Sequence, residues 1–257
     1  MKTIACYKVS PDNQDISVLP DHSISFDRAQ NVLGEYDLVA IEEAVRLAEQ
    51  TGGACTLLSV GDSKLEDSKL VKGALSRGAE DLICVVDDGL SDADPFQTAS
   101  VIASVLRDLE FDLVVFGEGS SDLYAQQTGS LVGALLGLPT MNAVSEVTPG
   151  EGSITVKRTL EQDVETLELT TPAVISVTTD INLPRVPKMK DILSAGKKPV
   201  EKRDLADVGG LPAASVKPQK TLAPQDTERK NVIFPDASPD SIQEHAAAIR
   251  AAQEDEG

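Results

Sequence analysis

Ala54-Cys-Thr-Leu-Leu-Ser-Val60-Gly61-Asp62 decides the fold. The first seven residues are mostly apolar, with Gly52-Gly53 before them and Gly61 after them. A short apolar run between glycines reads as a strand buried on both faces. Upstream, Asp37 to Gln50 places Leu38, Ile41, Val45 and Ala48 on one face, a helical period that Gly52-Gly53 ends. Downstream, a second helix runs from about Ser63 to Arg77, and Gly78 stops it. Asp81 to Val86 is the next strand. Asp94-Pro95 opens a third helix, with Asp at the cap and Pro in the first turn. Asp112 to Phe116 is a further strand ended by Gly117, and Thr3 to Lys8 is the first of the series.

Strands alternating with helices in this way imply right-handed βαβ units and a parallel sheet covered on both faces. The expected fold is α/β, with a doubly wound, mostly parallel, Rossmann-like sheet. After Pro139 the pattern changes. Ser153 to Leu160 and Val164 to Leu169 alternate polar and apolar residues around Glu161-Gln162-Asp163, which predicts a β-hairpin. Ala173 to Val177 is one more buried strand. Asp180 to Lys198 is rich in Pro and Lys, and beyond Pro199 the density of apolar residues falls. Residues 1–198 therefore read as the α/β domain and 199–257 as an extended C-terminal arm. A short helix from about Pro239 to Ala252, capped by Ser238, is expected within the arm. Composition alone favours a loose arm.

The 257 residues are 41 % hydrophobic and 25 % charged, which suits a soluble globular chain. Acidic residues outnumber basic ones, 42 to 23, for a net charge of −19. A phosphate backbone rewards clustered Lys and Arg, so nucleic-acid binding is not expected. The longest apolar stretches, such as Leu131 to Leu138, fall far short of the roughly 20 residues a membrane span needs. The opening residues carry no signal-like n-region or Arg-rich presequence, and the expected location is the cytoplasm. Cys6, Cys55 and Cys84 sit in apolar, strand-like runs without CxxC spacing, and His22 and His245 are remote from them. Buried thiols are expected there, with no metal site and no Cys/His pair.

In a doubly wound sheet, ligands bind beyond the carboxyl ends of the strands. The loop to inspect is Gly117-Glu118-Gly119-Ser120-Ser121-Asp122-Leu-Tyr-Ala125-Gln126-Gln127-Thr128. Small residues leave a strand and enter a helix, so backbone N–H groups and the helix dipole can face a phosphate. Any βα turn wants a glycine and a cap, which is the plain alternative. Amides and hydroxyls continuing through Thr128 favour nucleotide binding. The loop is not the dinucleotide fingerprint, because Asp122 stands where the third glycine belongs, and no phosphate loop of the GxxxxGK type exists. No pair of carboxylates has acid/base spacing. Glu42 and Glu43 read as a solvated helix face. No catalytic residues are assigned, and no enzymatic activity of the chain by itself is expected.

Several stretches together resemble the β subunit of bacterial electron transfer flavoproteins. They are the first strand ending in Lys8, the helix Asp37-Leu-Val-Ala-Ile-Glu-Glu-Ala-Val-Arg-Leu47, the Gly117-to-Gly129 loop, and Leu167 to Lys198. The last contains Asn182-Leu-Pro-Arg185 and, just beyond, Ala195-Gly-Lys-Lys-Pro199. The form Gly-Ser-Ser-Asp-Leu-Tyr-Ala-Gln-Gln is similar to the branch associated with nitrogen fixation and carnitine metabolism. The resemblance covers residues 1 to about 208 and implies an adenine-nucleotide α-hydrolase-like core. It implies a heterodimer whose α subunit holds the redox-active FAD, with AMP or a second FAD in the β subunit. The nucleotide pocket it implies comprises Cys6, Tyr36, Asp37, Val60, Gly117, Gly119, Ser120, Ser121, Asp122, Ala125, Gln126, Gln127 and Thr128. The arm would wrap the α subunit. A loop carrying Leu183, Arg185 and Met189 would dock an acyl-CoA dehydrogenase type partner, with Met189 as the apolar anchor, and a quinone-linked oxidoreductase is a further acceptor. Electrons would pass from such a dehydrogenase or NADH to the acceptor.

The chain departs from the family in three places. Ser121-Asp-Leu-Tyr-Ala-Gln126 replaces a more acidic run, which leaves the nucleotide open between AMP and FAD. Thr159 and Asn13 stand where other members carry a Glu and a Tyr that reach the partner subunit. The alternative reading is a stand-alone adenine-nucleotide-binding protein of the universal stress type. Against it stands the Asn182-to-Pro199 segment, for which a free-standing domain has no use. An adenylate-forming or hydrolysing enzyme on the same core lacks a phosphate-grasping loop with a catalytic Lys or His.

Overall fold

Strand β1 (Lys2–Cys6) sends Ala5 to one apolar core and Ile4 and Cys6 to another. A pleated strand imposes that alternation, and a sheet covered on both faces needs two cores. The computed structural model describes residues 1–225 and 231–255. After β1 comes an excursion in which β2 (Val9–Pro11) pairs with β5 (Asn31–Leu33) and β3 (Ser17–Val18) with β4 (Ile24–Ser25). Helix α1 (Glu35–Thr51) leads to β6 (Ala54–Gly61), α2 (Ser68–Leu75) to β7 (Asp81–Val86), α3 (Pro95–Arg107) to β8 (Leu113–Gly117), and α4 (Thr128–Leu136) to β9 (Thr140–Pro149). The hairpin of β10 (Ser153–Thr159) and β11 (Val164–Thr170) comes next, then β12 (Ala173–Val177), α5 (Met189–Ala195), β13 (Val200–Arg203) and α6 (Pro239–Asp255).

Nine strands form one sheet in the order β11-β10-β9-β12-β8-β1-β6-β7-β13. Every neighbouring pair from β9 to β13 in that order is parallel, and β10 runs antiparallel to both of its neighbours, β9 and β11. Ile41, Val45 and Leu47 of α1 pack with Leu57, Leu75 and Ile175 on one face. Ile102 and Leu106 of α3 and Val132 of α4 pack with Leu58, Val114 and Val174 on the other. The chain moves outward from β1 to β6 and β7, then returns to set β8 on the far side of β1. The switch point of the doubly wound sheet therefore lies between β1 and β8.

Four features differ from the sequence reading. The helix expected over Ser63–Arg77 is two pieces, because Asp67 stops a 3-10 turn at Ser63–Glu66 and caps α2 through the N–H groups of Lys69 and Leu70. Strand β9 fills part of the segment after Pro139 that carried no assignment. Glu42 and Glu43 are not a solvated face: both are buried, because the Asn182–Arg185 segment lies back over α1. Finally, β13 adds Val200–Arg203 to the sheet beside β7, past residue 198, and the compact unit runs from Met1 to Thr221. A second unit, Leu222 to Gly257, contains α6, and in it the Phe234 and His245 rings stack at 4.7 Å. Residues 226–230 and 256–257 of the expected arm lie outside the described residues.

Candidate nucleotide site

The backbone leaving β1 is fixed from both sides. Ser59 donates its hydroxyl to the Tyr7 carbonyl at 2.7 Å, and the Lys8 N–H donates to Asp37 Oδ2 at 2.7 Å. Asp37 sits in the first turn of α1, where the helix dipole favours an anion. Its side chain is buried, and that burial pushes the carboxyl up to about 7 against the pull of the Lys8 N–H and ammonium. The nearby Asp122 charge pushes in the same direction as burial.

The loop after β8 folds onto this corner. A Cβ at Gly117 would stand 2.7 Å from the Tyr36 carbonyl carbon and oxygen, so only glycine lets β8 end against the first turn of α1. Lys8 Nζ donates to Asp122 Oδ2 at 2.5 Å. Burial raises the Asp122 carboxyl, but hydrogen bonds from Lys8 and Ser120 outweigh it and hold the group below the usual carboxylate range. The Tyr36 and Tyr124 rings lie 5.3 Å apart at 46°, within the range of favourable aromatic pairs. The Tyr124 ring covers Gly119, where a Cβ would collide with it. Tyr124 and Gln126 hold φ of 44° and 55°, in the left-handed region that bulky side chains rarely adopt.

Helix α4 then starts at Thr128 with no side-chain cap from Gln127. Its first N–H groups have no intrahelical acceptor and carry the positive end of the dipole. Glycines where a Cβ would clash, polar side chains at Ser120, Ser121, Gln126 and Gln127, and an uncapped helix start are the donor set a phosphate wants. The residues present thus fit the phosphate of a nucleotide. Such a nucleotide would supply structural support if it is AMP and redox chemistry if it is a flavin.

The parallel register places the ends of β6, β1 and β8 at one edge, so Val60, Cys6 and Gly117 stand on neighbouring strands there. Cys6 and Val60 face the second core, and burial pushes the Cys6 thiol well up, which leaves their main chains for a ligand. Tyr36, Asp37, Ser120 and Asp122 meet at this edge through the contacts above, and Ser121, Ala125, Gln126, Gln127 and Thr128 follow in the same loop and helix start. Lys8 was not among the expected site residues. Its signal, a basic residue one step past the strand end, is common in any βα turn.

The loop after β12 divides its expected docking residues. Leu183 and Met189 are 93 % and 72 % exposed, and Val186 between them is 89 % exposed. Arg185 points the other way, to Glu42 and Glu49 of α1. Asn182 donates to the Val39 carbonyl at 3.1 Å and to Glu43 Oε2 at 3.0 Å. Thr159 lies 3.2 Å from the Ser145 hydroxyl, and Asn13 opens a 3-10 turn capped by Asp12. All three cysteines are free and buried. Among the described residues no His/Cys/Asp/Glu group could hold a metal ion, and no helix is long and apolar enough to cross a membrane.

A doubly wound, mostly parallel sheet with a glycine- and hydroxyl-rich loop at its switch point defines the Rossmann-like α/β class. Within it, the family model of the electron transfer flavoprotein domain matches residues 23–208, and the chain belongs to the electron transfer flavoprotein family. Proteins of this family are flavin-associated and serve electron transfer.

Proposed function

We propose that the chain is the β subunit of a heterodimeric electron transfer flavoprotein, of the type associated with nitrogen fixation and carnitine metabolism. In this reading it holds AMP or a second FAD at the β1/β8 edge and is an electron-carrier subunit in the cytoplasm, not an enzyme in its own right. The α subunit supplies the redox-active FAD, and the part of the arm beyond the compact unit, residues 222–257, wraps it. Electrons pass between a donor, an acyl-CoA dehydrogenase type partner or NADH, and a dehydrogenase or quinone-linked acceptor. The uncapped start of α4 behind the Gly117–Thr128 loop is the observation that carries the nucleotide. The exposed set Leu183, Val186, Met189 and Leu193 favours a partner-bound role over a stand-alone nucleotide binder, because contiguous apolar exposure on a soluble protein marks an interaction site.

Co-expression with an α subunit, followed by denaturation and a count of released FAD and AMP, tests the reading. One FAD and one AMP make this chain a structural nucleotide holder. Two FAD place a flavin in its own pocket. Release of neither nucleotide beyond the α-subunit FAD defeats the proposed site.

A further inference from the structure

We propose that the Gly117–Thr128 loop is a lid held shut by two clasps, and that Asp122 occupies on Lys8 the place a nucleotide phosphate takes when the lid opens. The inference rests on the nucleotide reading of this edge and assigns Lys8 a role within it.

The charged side chains that meet here, among the described residues, are Asp37, Glu118, Asp122, Asp180 and Lys8. Only Lys8 is basic. A phosphate arriving at this edge meets carboxylates on every side unless the Lys8 ammonium turns to it. That ammonium is committed to Asp122, which rides on the loop, while Asp37 on α1 is held through the Lys8 backbone N–H instead. Exchange of Asp122 for phosphate therefore leaves the fold of β1 and α1 intact and releases only the loop. The Lys8 side chain is 43 % exposed, so a ligand reaches it from solvent.

The second clasp is aromatic. Tyr124 of the loop lies against Tyr36 of α1 and over Gly119, with its hydroxyl at Glu118. Left-handed backbone at Tyr124 and Gln126 is the strained geometry of the shut state, and opening relieves it. A half-exposed ion pair is weak, which is what a releasable latch requires. A shut lid lowers apparent affinity by the fraction of molecules that are closed.

The test uses the full-length chain and AMP as probe, with adenosine as the phosphate-free control, by equilibrium dialysis at fixed low salt. Asp122→Asn is expected to tighten AMP by about fivefold, the worth of the lost latch. Lys8→Met weakens AMP while adenosine tightens by the same few-fold as in Asp122→Asn, because the latch is gone in both; Lys8→Arg restores AMP, and Lys8→Met combined with Asp122→Asn behaves as Lys8→Met alone. The chain has no Trp, so Tyr124→Trp adds a single tryptophan whose selectively excited emission is expected to shift when AMP binds. Circular dichroism checks each fold, and Asp122→Ser replaces Asp122→Asn if that variant unfolds. Asp122→Asn weakening AMP as much as Lys8→Met would make Asp122 a ligand contact and overturn the latch. Unchanged AMP affinity in both variants would also overturn it, with the nucleotide reading left standing. A wild-type chain that binds neither AMP nor FAD defeats the nucleotide reading itself and the lid with it; if only FAD binds, the same series is read with FAD.

Discussion

Arg185 closes on Glu42 three times: its backbone N–H meets Oε2 at 3.0 Å, Nε meets Oε2 at 2.8 Å, and Nη2 meets Oε1 at 3.1 Å. The guanidinium continues to Glu49 at 2.7 and 3.0 Å, and Arg77 donates to the Arg185 carbonyl at 2.8 Å. One buried carboxylate on α1 thereby fixes the backbone of the loop that exposes Leu183, Val186 and Met189. Arg185→Ala leaves Glu42 buried with the backbone N–H of residue 185 but without its guanidinium, which costs about 3 kcal/mol. Arg185→Lys loses the fork geometry and recovers only part of that. Thermal melts and limited proteolysis of residues 183–188 check both. A melting temperature within a degree of wild type for Arg185→Ala would show that the loop does not depend on this contact.

The relation of Arg185 to Glu42 spans 143 residues, and this marks where sequence reading stopped. Local period was enough for Ala54–Val60 and Ala173–Val177, since strands buried on both faces must be apolar throughout. It also gave the hairpin, where one face alternates. It missed β13, because Val200-Glu-Lys-Arg203 lies at the sheet edge, where charged residues are tolerated and even protective. Glu42 and Glu43 looked solvated because nothing within a helical turn of them announces a loop returning from residue 182. In the site, Gly117 and Gly119 were legible as small residues of a βα turn, but not their close approach to Tyr36 and Tyr124. The Lys8–Asp122 pair, 114 residues apart, was not.

Gly117→Ala tests the cradle. The added Cβ meets backbone of Tyr36, which cannot rotate away, so β8 or α1 must shift. The expected loss is about 2 kcal/mol, as for overpacking elsewhere, together with loss of nucleotide. Gly137→Ala is the control. It has φ of 68° and open space around the Cβ, so about 1 kcal/mol of left-handed strain is lost while nucleotide binding stays. Equal nucleotide retention in the two variants would remove Gly117 from the site.

Asp37 makes stability depend on pH. Burial raises its folded carboxyl to about 7, with the neighbouring Lys8 opposing and Asp122 adding to the shift. Between about pH 4 and 7 the unfolded chain has released this proton while the folded chain keeps it. The unfolded state then binds fewer protons, so this group's contribution to stability falls as pH rises through that window and is flat above it. Asp37→Asn retains an acceptor for the Lys8 N–H and removes the titration. The variant is expected to gain on wild type from pH 4 to 7, by up to about 4 kcal/mol, and by a constant amount above pH 7. Urea unfolding at a series of pH values measures the gap. Parallel curves for the two proteins would show that Asp37 ionises in the native state at its ordinary value.

Truncation at two points separates the sheet from the C-terminal arm. Cutting after Pro199 removes β13, whose Val200, Glu201, Lys202 and Arg203 pair with Leu82, Ile83, Cys84 and Val85. It also removes Val208, buried in the second core, and the Pro212 carbonyl and Ser215 N–H that bond Gln97 and Asp94 at the start of α3. The β7 edge is then bare, and bare parallel edges invite aggregation. A chain ending at Pro199 is expected to be poorly soluble and to melt well below the full-length protein. A chain ending at Thr221 keeps all of these contacts and is expected to melt within a few degrees of it. If the arm binds the α subunit, the Thr221 form also fails to co-purify with it while remaining folded. A well-folded Pro199 form would instead place the limit of the stable core before β13, and co-purification of the Thr221 form would deny residues 222–257 their part in holding the partner.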